Sequence, residues 1–421
     1  MKKLYIHHNP SIISYNLPNL TRPLYLDRIK PFIGKSLIKV LVGQRRVGKS
    51  YLLRQILQEI QTTSPQTNCI YINKESLDFT FIKTAEDLHT YVTSKLVESQ
   101  KTALFIDEVQ DIDSFESVLR DYCARDSFDI YISGSNANLL SSELATFLSG
   151  RYIEFKIYGL SYPEYLQFHV LEDSVRSFQS YLKNGGLPYL IHLNKDAEVI
   201  SEYHKNMYNT IILKDVVTRY NVRNVAFLES LNQFLASNIG SIVSAKKISE
   251  YLKSQKVTIS TQSVLDYLSY LESALFILKV QRTELQGKKI FEIGEKYYFE
   301  DLGIRNALVG FSLNDIHKLL ENVVYTHLKM ANYTVWIGID GKKEIDFIAE
   351  KNGERIYIQV AYLLQDEKTI EREFGNLLAI QDNYPKFVIT MDDLEEPNSY
   401  KGIHRMHAKD FCAQLVEGRL F

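Results

Sequence analysis

Eight consecutive residues, Gly43-Gln44-Arg45-Arg46-Val47-Gly48-Lys49-Ser50, place two glycines, a lysine and a hydroxyl at the spacing G-x-x-x-x-G-K-[ST]. The glycines let successive backbone N–H groups turn toward the β- and γ-phosphates of a nucleotide. Lys49 adds a point charge, and Ser50 can ligate Mg²⁺ at a helix N-terminus that already favours anions. The expected nucleotide contacts are therefore Gly43, Gln44, Arg45, Arg46, Val47, Gly48, Lys49 and Ser50, with Tyr51 opening the helix behind them. Arg45 and Arg46 fill variable positions, where ion pairs at the rim suffice, so their side chains are assigned no chemistry.

A second chemical pattern lies at Ala103-Leu104-Phe105-Ile106-Asp107-Glu108, an apolar run ending in two acids. At the carboxyl end of a buried strand, Asp107 would hold Mg²⁺ directly or through water, and Glu108 would orient or deprotonate the attacking water. Further on, Asp129 to Gly134 runs into Ser135-Asn136, and either small polar side chain could sense a γ-phosphate; the alternative is a turn without a ligand role. Arg151 stands at the entrance to another apolar segment. It is open as an arginine finger or sensor, in cis or from a neighbouring subunit of a homo-oligomer, and equally as a surface arginine.

Elements of one kind must position these groups. Residues 37–42 read as a buried strand, 51–57 as an amphipathic helix, 69–73 as a strand, 85–98 as a helix, and 103–107 and 129–134 as further strands, with a fifth after Arg151. Strands alternating with helices predict an α/β fold with a parallel sheet, whose ligands sit beyond the carboxyl ends of the strands.

Composition narrows the class. At 421 residues the chain exceeds one ordinary core, and 45% hydrophobic with 24% charged residues is the balance of a globular protein. A net charge of -2 excludes a globally cationic nucleic-acid binder, so any DNA contact must be local. Cys69, Cys123 and Cys412 form no C-x-x-C pair and support neither a disulfide framework nor a zinc site, which fits a reducing cytoplasm. Residues 4–20 are broken by His7, His8, Asn9, Pro10, Asn16 and Pro18 and lack a secretory apolar core, and no membrane-spanning run is expected.

With the segments GQRRVGKSYLL (43–53), LFIDEVQ (104–110), ISGSNANLLSSELATFLSGR (132–151), LSYPEYL (160–166), NGGLP (184–188), LKDVVTRY (213–220), KYYFEDLGIRNAL (296–308) and KEIDFIAE (343–350), the chain resembles prokaryotic AAA-type ATPases of the STAND and archaeal ATPase branch that carry a C-terminal domain of unknown function. The resemblance implies an AAA-type P-loop domain that binds ATP with Mg²⁺ and hydrolyses it slowly. It also implies a C-terminal domain similar to PD-(D/E)XK nucleases. The expected division is an ATPase domain over 1–160, a helical lid or linker over 161–224, a winged-helix-like domain over 225–292 and an α+β nuclease-like domain over 293–421.

In the middle, Ser244 caps a helix over 245–252 and Ser260 caps another over 261–268, the order of a winged helix-turn-helix. The second helix offers no Lys or Arg for base edges, whereas Lys246, Lys247, Lys253 and Lys256 lie beside it and Arg282, Lys288 and Lys289 on the predicted wing. Phosphate contact without sequence specificity and a solvated lysine face explain them equally well; the alternative role for the domain is to pack on the ATPase through Val264, Tyr267, Tyr270 and Leu271 and transmit its nucleotide state.

Near the C-terminus a helix with Glu321, a strand with Asp346 and an Asn352-Gly353 turn into a strand with Gln359 and Ala361 follow the order of a nuclease core. Such a core needs an acid and a lysine where Gln359 and Ala361 stand, so no DNA cleavage is expected. Asp346 is then equally a hairpin residue paired with Lys342, Lys343 or Arg355, and Glu300-Asp301 is expected to form a turn at the domain junction.

Overall fold

The computed structural model describes residues 20–137, 148, 150–194, 196–254, 259–284, 290–341, 343–364, 367–392 and 399–420. Five strands, β1 (Ile38–Val42), β2 (Asn68–Asn73), β3 (Thr102–Asp107), β4 (Phe128–Gly134) and β5 (Tyr152–Lys156), form one sheet in the order β2-β3-β4-β1-β5. Every pair in it is parallel. β1, β3 and β4 are buried along their whole length, as strands covered by helices on both faces must be.

Each face of this sheet closes a separate core. On one side Leu52, Leu53, Ile56 and Ile60 of the helix Lys49–Thr63 meet Leu41, Phe105 and Tyr131. On the other, the helices Ala85–Ser94 and Phe115–Cys123 cover Val40, Ile72, Ile106 and Ile132. The first core continues without interruption into the rest of the molecule as far as Leu415.

Past β5 the chain is helical through Tyr162–His169, Val175–Asn184 and Ala197–Thr210, the last running straight into a π-helical stretch, Ile211–Thr218. Three more helices follow, Val225–Ser237, Ala245–Ser254 and Thr261–Ser273, the last capped by Ser260. They lead into an antiparallel hairpin, β6 (Ile277–Glu284) and β7 (Ile290–Phe299).

That hairpin does not project as a free wing. β6 pairs in parallel with β8 (Thr334–Asp340), so the hairpin forms one margin of an eight-stranded sheet with β9 (Lys343–Lys351), β10 (Glu354–Val360), β11 (Lys386–Thr390), β12 (Ser399–Tyr400) and β13 (Ile403–His407). The order is β12-β13-β11-β10-β9-β8-β6-β7. The boundary expected between 292 and 293 therefore falls inside β7, because hydrogen bonding across β6 and β8 fuses the two regions. Lys256, expected beside the second helix, and Lys288 and Lys289, expected on the wing, lie outside the described residues.

Glu300 and Asp301 follow β7 and make the expected junction turn. Asp301 caps the helix Leu302–Val309 by accepting from Ile304 N (3.0 Å) and reaches across to Gly186 N (2.7 Å), while Glu300 accepts from Gly159 N (2.8 Å). Glycines are required on the far side: a Cβ at Gly185 would stand 2.4 Å from the Asp301 carboxylate.

Candidate nucleotide site

The phosphate loop leaves the carboxyl end of β1, and its glycines are fixed by contact rather than by flexibility. A Cβ on Gly43 would lie 2.2 Å from the Ile157 carbonyl oxygen, and Gly48 precedes the helix with φ +100°. Lys49 is buried as the first helical residue; its Nζ donates to Gly43 O (2.9 Å) and Gln44 O (3.1 Å) and lies 3.5 Å from Glu108 Oε1. Ser50 stands beside it in the first helical turn, where free backbone N–H groups and the helix dipole favour phosphate. Tyr51 is exposed behind the loop.

β3 ends at Asp107, next to β4 in the sheet, and both carboxylate oxygens of Asp107 are oriented. Ser133 Oγ donates to Oδ1, and Tyr71 OH donates to Oδ2 at 3.2 Å. Glu108 adopts a left-handed conformation (φ +56°) with its N–H on Ser133 Oγ (3.1 Å), which swings its side chain toward Lys49 instead of along the strand. Burial pushes the Glu108 carboxyl up, but Lys49, Gln110, Arg45 and Ser135 together outweigh it and hold the group below its ordinary range. An ionised carboxylate beside a lysine at a strand end can accept a proton from water or align it.

Ser135 and Asn136 are buried at the tip of β4, between β3 and β1. Asn136 Nδ2 donates to Tyr220 OH (3.3 Å), and Tyr220 stacks on Tyr270 with centroids 4.1 Å apart. The oxygen donors Ser50 Oγ and Asp107 suit a hard cation completed by phosphate and water. Among the described residues no group of three or more His, Cys, Asp or Glu is arranged to hold a metal, and a cation shared with phosphates does not require one.

Arg151 is not brought to this site. It precedes β5, whose first residue pairs with Ile38 at the amino end of β1, whereas the phosphate loop leaves the opposite end. Five strand residues at ~3.3 Å each put it about 16 Å away along the sheet. That position removes the role in cis.

Several residues at the site carry no motif. Arg22, 1% exposed, donates to Val47 O (2.9 Å) inside the loop, to Tyr158 O (3.1 Å) and Gly159 O (2.8 Å), and forms a two-point pair with Glu164 (2.8 and 2.9 Å). Arg45 is not a rim arginine: Nε and Nη2 donate to the two carboxylate oxygens of Asp215 (2.7 and 3.0 Å), which is 1% exposed. Gln44 Nε2 donates to Leu275 O (3.3 Å). One sequence signal points to Asp215, a lone acid that with Lys214 interrupts the otherwise apolar run Ile211 to Val217.

At the second expected cluster Asp346 pairs with neither Lys343 nor Arg355; Lys342 lies outside the described residues. Arg355 bonds Glu350, and Asp346 accepts from Val360 N (2.8 Å) and lies 3.7 Å from Lys296 Nζ. Lys296, on β7, also contacts Glu321 (3.0 Å) and Glu344 (2.8 Å). Burial, opposed by these three carboxylates, leaves its ammonium more basic than usual. A cation thus reaches Asp346 from β7, a strand that period-two spacing on β10 could not reveal.

The sequence of residues 35–166 matches a family model described as an AAA domain, and 175–315 matches a domain of unknown function (DUF8612). An uncharacterized protein of Haemophilus influenzae is 35% identical over 401 residues, covering 94% of this chain and 99% of that protein. The uncharacterized protein MJ1544 of Methanocaldococcus jannaschii is 31% identical over 353 residues, covering 80% and 77%. Among solved structures, the Aeropyrum pernix ORC1 protein in complex with DNA aligns with 69% of this chain and 92% of that one, at 13% identity and a TM-score of 0.33, a likeness too remote to argue from. No described helix is long and apolar enough to cross a membrane. The chain belongs to the family of AAA-domain proteins that these bacterial and archaeal relatives share.

Proposed function

We propose that the protein binds and hydrolyses ATP with Mg²⁺ and acts as a nucleotide-dependent switch whose output passes through the helices after the ATPase sheet. One observation carries the reading: Lys49 Nζ and Glu108 Oε1 lie 3.5 Å apart at the carboxyl edge of a parallel sheet, with Asp107 and Ser50 beside them. Mg²⁺, held by Ser50 and Asp107, would neutralise charge developing on the phosphates. Lys49 would bind the phosphates and Glu108 would align the water. Asn136, hydrogen-bonded to Tyr220, would report the terminal phosphate to the helices.

Lys49→Ala should abolish nucleotide binding or turnover, whereas Glu108→Gln should keep binding and lose hydrolysis. Turnover unchanged in both variants sinks the assignment. The same assay with double-stranded DNA separates a motor on DNA, which is stimulated, from a switch that works on another partner. The winged-helix-like segment offers exposed Lys246 and Lys253 on the helix Ala245–Ser254, enough for phosphate contact alone. The C-terminal sheet is proposed to bind rather than cut, because Gln359 is neutral and the Lys296 ammonium is already engaged by three carboxylates. Arg151, exposed on the opposite sheet edge, retains a role only in trans, which would require a homo-oligomer.

A further inference from the structure

The expected arginine is missing from the nucleotide site, yet another occupies it. Arg45 leaves the loop three residues before Gly48, and its guanidinium is committed to Asp215 by two parallel hydrogen bonds of 2.7 and 3.0 Å. Two-point pairs of this kind fix the plane of the guanidinium as well as its position. Among the described residues the remaining nitrogen, Nη1, has a 3.6 Å contact to Glu75, whose side chain is half in solvent. A contact so screened holds it weakly. The charge field agrees with the geometry: burial weakens the hold of Arg45 on its proton, and Asp215, Glu108 and Glu75 more than restore it. Arg45 is therefore within electrostatic reach of the carboxylate that faces Lys49.

The element presenting Asp215 is built for the purpose. Asp215 lies in the π-helical stretch Ile211–Thr218, between buried Ile212 and Val216. Such stretches are costly and re-aim side chains, and they recur at functional sites. Burying one carboxylate there is tolerable only because a cation meets it at two points. Two residues past that stretch, Tyr220 accepts from Asn136. One helix thus touches the phosphate loop through Asp215 and the tip of β4 through Tyr220.

We propose that Asp215 is a positioning residue of the nucleotide site: its carboxylate holds the Arg45 guanidinium beside Lys49 and Glu108, so that Arg45 meets the terminal phosphate oxygens of a bound nucleoside triphosphate in cis. This rests on the ATPase reading above. Arg45 supplies positive charge where negative charge develops, and Asp215 orients it before the nucleotide arrives. A nucleoside diphosphate lacks the group that Arg45 meets, so the pair also separates ATP from ADP.

The test measures turnover and the ratio of ATP to ADP affinity in Asp215→Asn, Arg45→Ala, the double variant and the swapped pair Arg45→Asp/Asp215→Arg, with thermal unfolding as a check on folding. Arg45→Ala and Asp215→Asn should each lower kcat at least about tenfold, with ADP affinity held within about twofold and the ATP preference reduced. The double variant should be no slower than Arg45→Ala. The swapped pair should recover thermal stability but not turnover, since the cation then sits on the helix. Additive losses, an unchanged ATP:ADP ratio, or turnover restored by the swap overturn the proposal and leave a structural ion pair. A wild-type protein that binds neither nucleotide overturns the ATPase reading and this one together.

Discussion

Arg22 and Glu164, 142 positions apart in sequence, meet in a buried two-point ion pair whose arginine also grips the phosphate loop at Val47. Burial opposes ionisation of Glu164, but Arg22 and the N–H and hydroxyl of Ser161 hold its pKa below the ordinary value. The stability it contributes is present above the unfolded carboxylate pKa and is lost as pH falls through the lower folded value. Glu164→Ala leaves an unpaired guanidinium among carbonyls and should cost about 3–5 kcal/mol. Chemical denaturation at neutral pH checks this, and nucleotide affinity should fall in parallel because the loop loses its anchor.

Glu300 shows the opposite sign. Complete burial and neighbouring Asp301 raise its carboxyl to about 8, against the opposing pull of Gly159 N–H, Arg22 and Lys49. A raised folded pKa gives stability that is full below the unfolded value near 4.5 and is lost as pH rises toward 8. Glu300→Gln keeps an acceptor for Gly159 N and removes the titration. The variant should therefore gain on the wild type steadily between about pH 5 and 8 in unfolding midpoints, and a constant difference across that range would contradict the assignment.

Lys296→Met should be among the most disruptive single changes in the C-terminal sheet. It leaves Glu321, Glu344 and Asp346 facing one another without a cation, at a cost of about 3–5 kcal/mol. Adding Glu321→Gln should recover part of the loss by lowering the repulsion, whereas Asp346→Asn should recover less, since burial and Glu321 push the Asp346 carboxyl well up toward its neutral form. Neither the wild type nor these variants should cleave DNA with Mg²⁺, as read by nicking of a supercoiled plasmid.

The phosphate loop, the acidic end of β3 and all five strands of the first sheet were legible because each is written in a short run of residues: apolar strand, glycine turn, helix. The helix and hairpin order around Asp346 was legible for the same reason. What joins distant segments was not. Nothing local to Arg22, Asp215 or Lys296 tells which oppositely charged group will face it, across more than a hundred residues in the first two cases. For Arg151 the sequence left several roles open, and the one in cis is removed by its place at the amino end of its strand, which in a parallel sheet points away from the ligand edge. The pairing to β8 was not legible because the hairpin reads the same in sequence whether its outer edge is free or paired.

The pairing of β6 with β8 dictates how this protein can be taken apart. Cutting after residue 292 would part β6 from β8 and Ile277–Val280 from Lys296–Phe299 of β7, and leave β8 with an open row of N–H and C=O groups, a template for aggregation. An autonomous C-terminal fragment must therefore start before Ile277, and any movement of the hairpin drags the eight-stranded sheet with it.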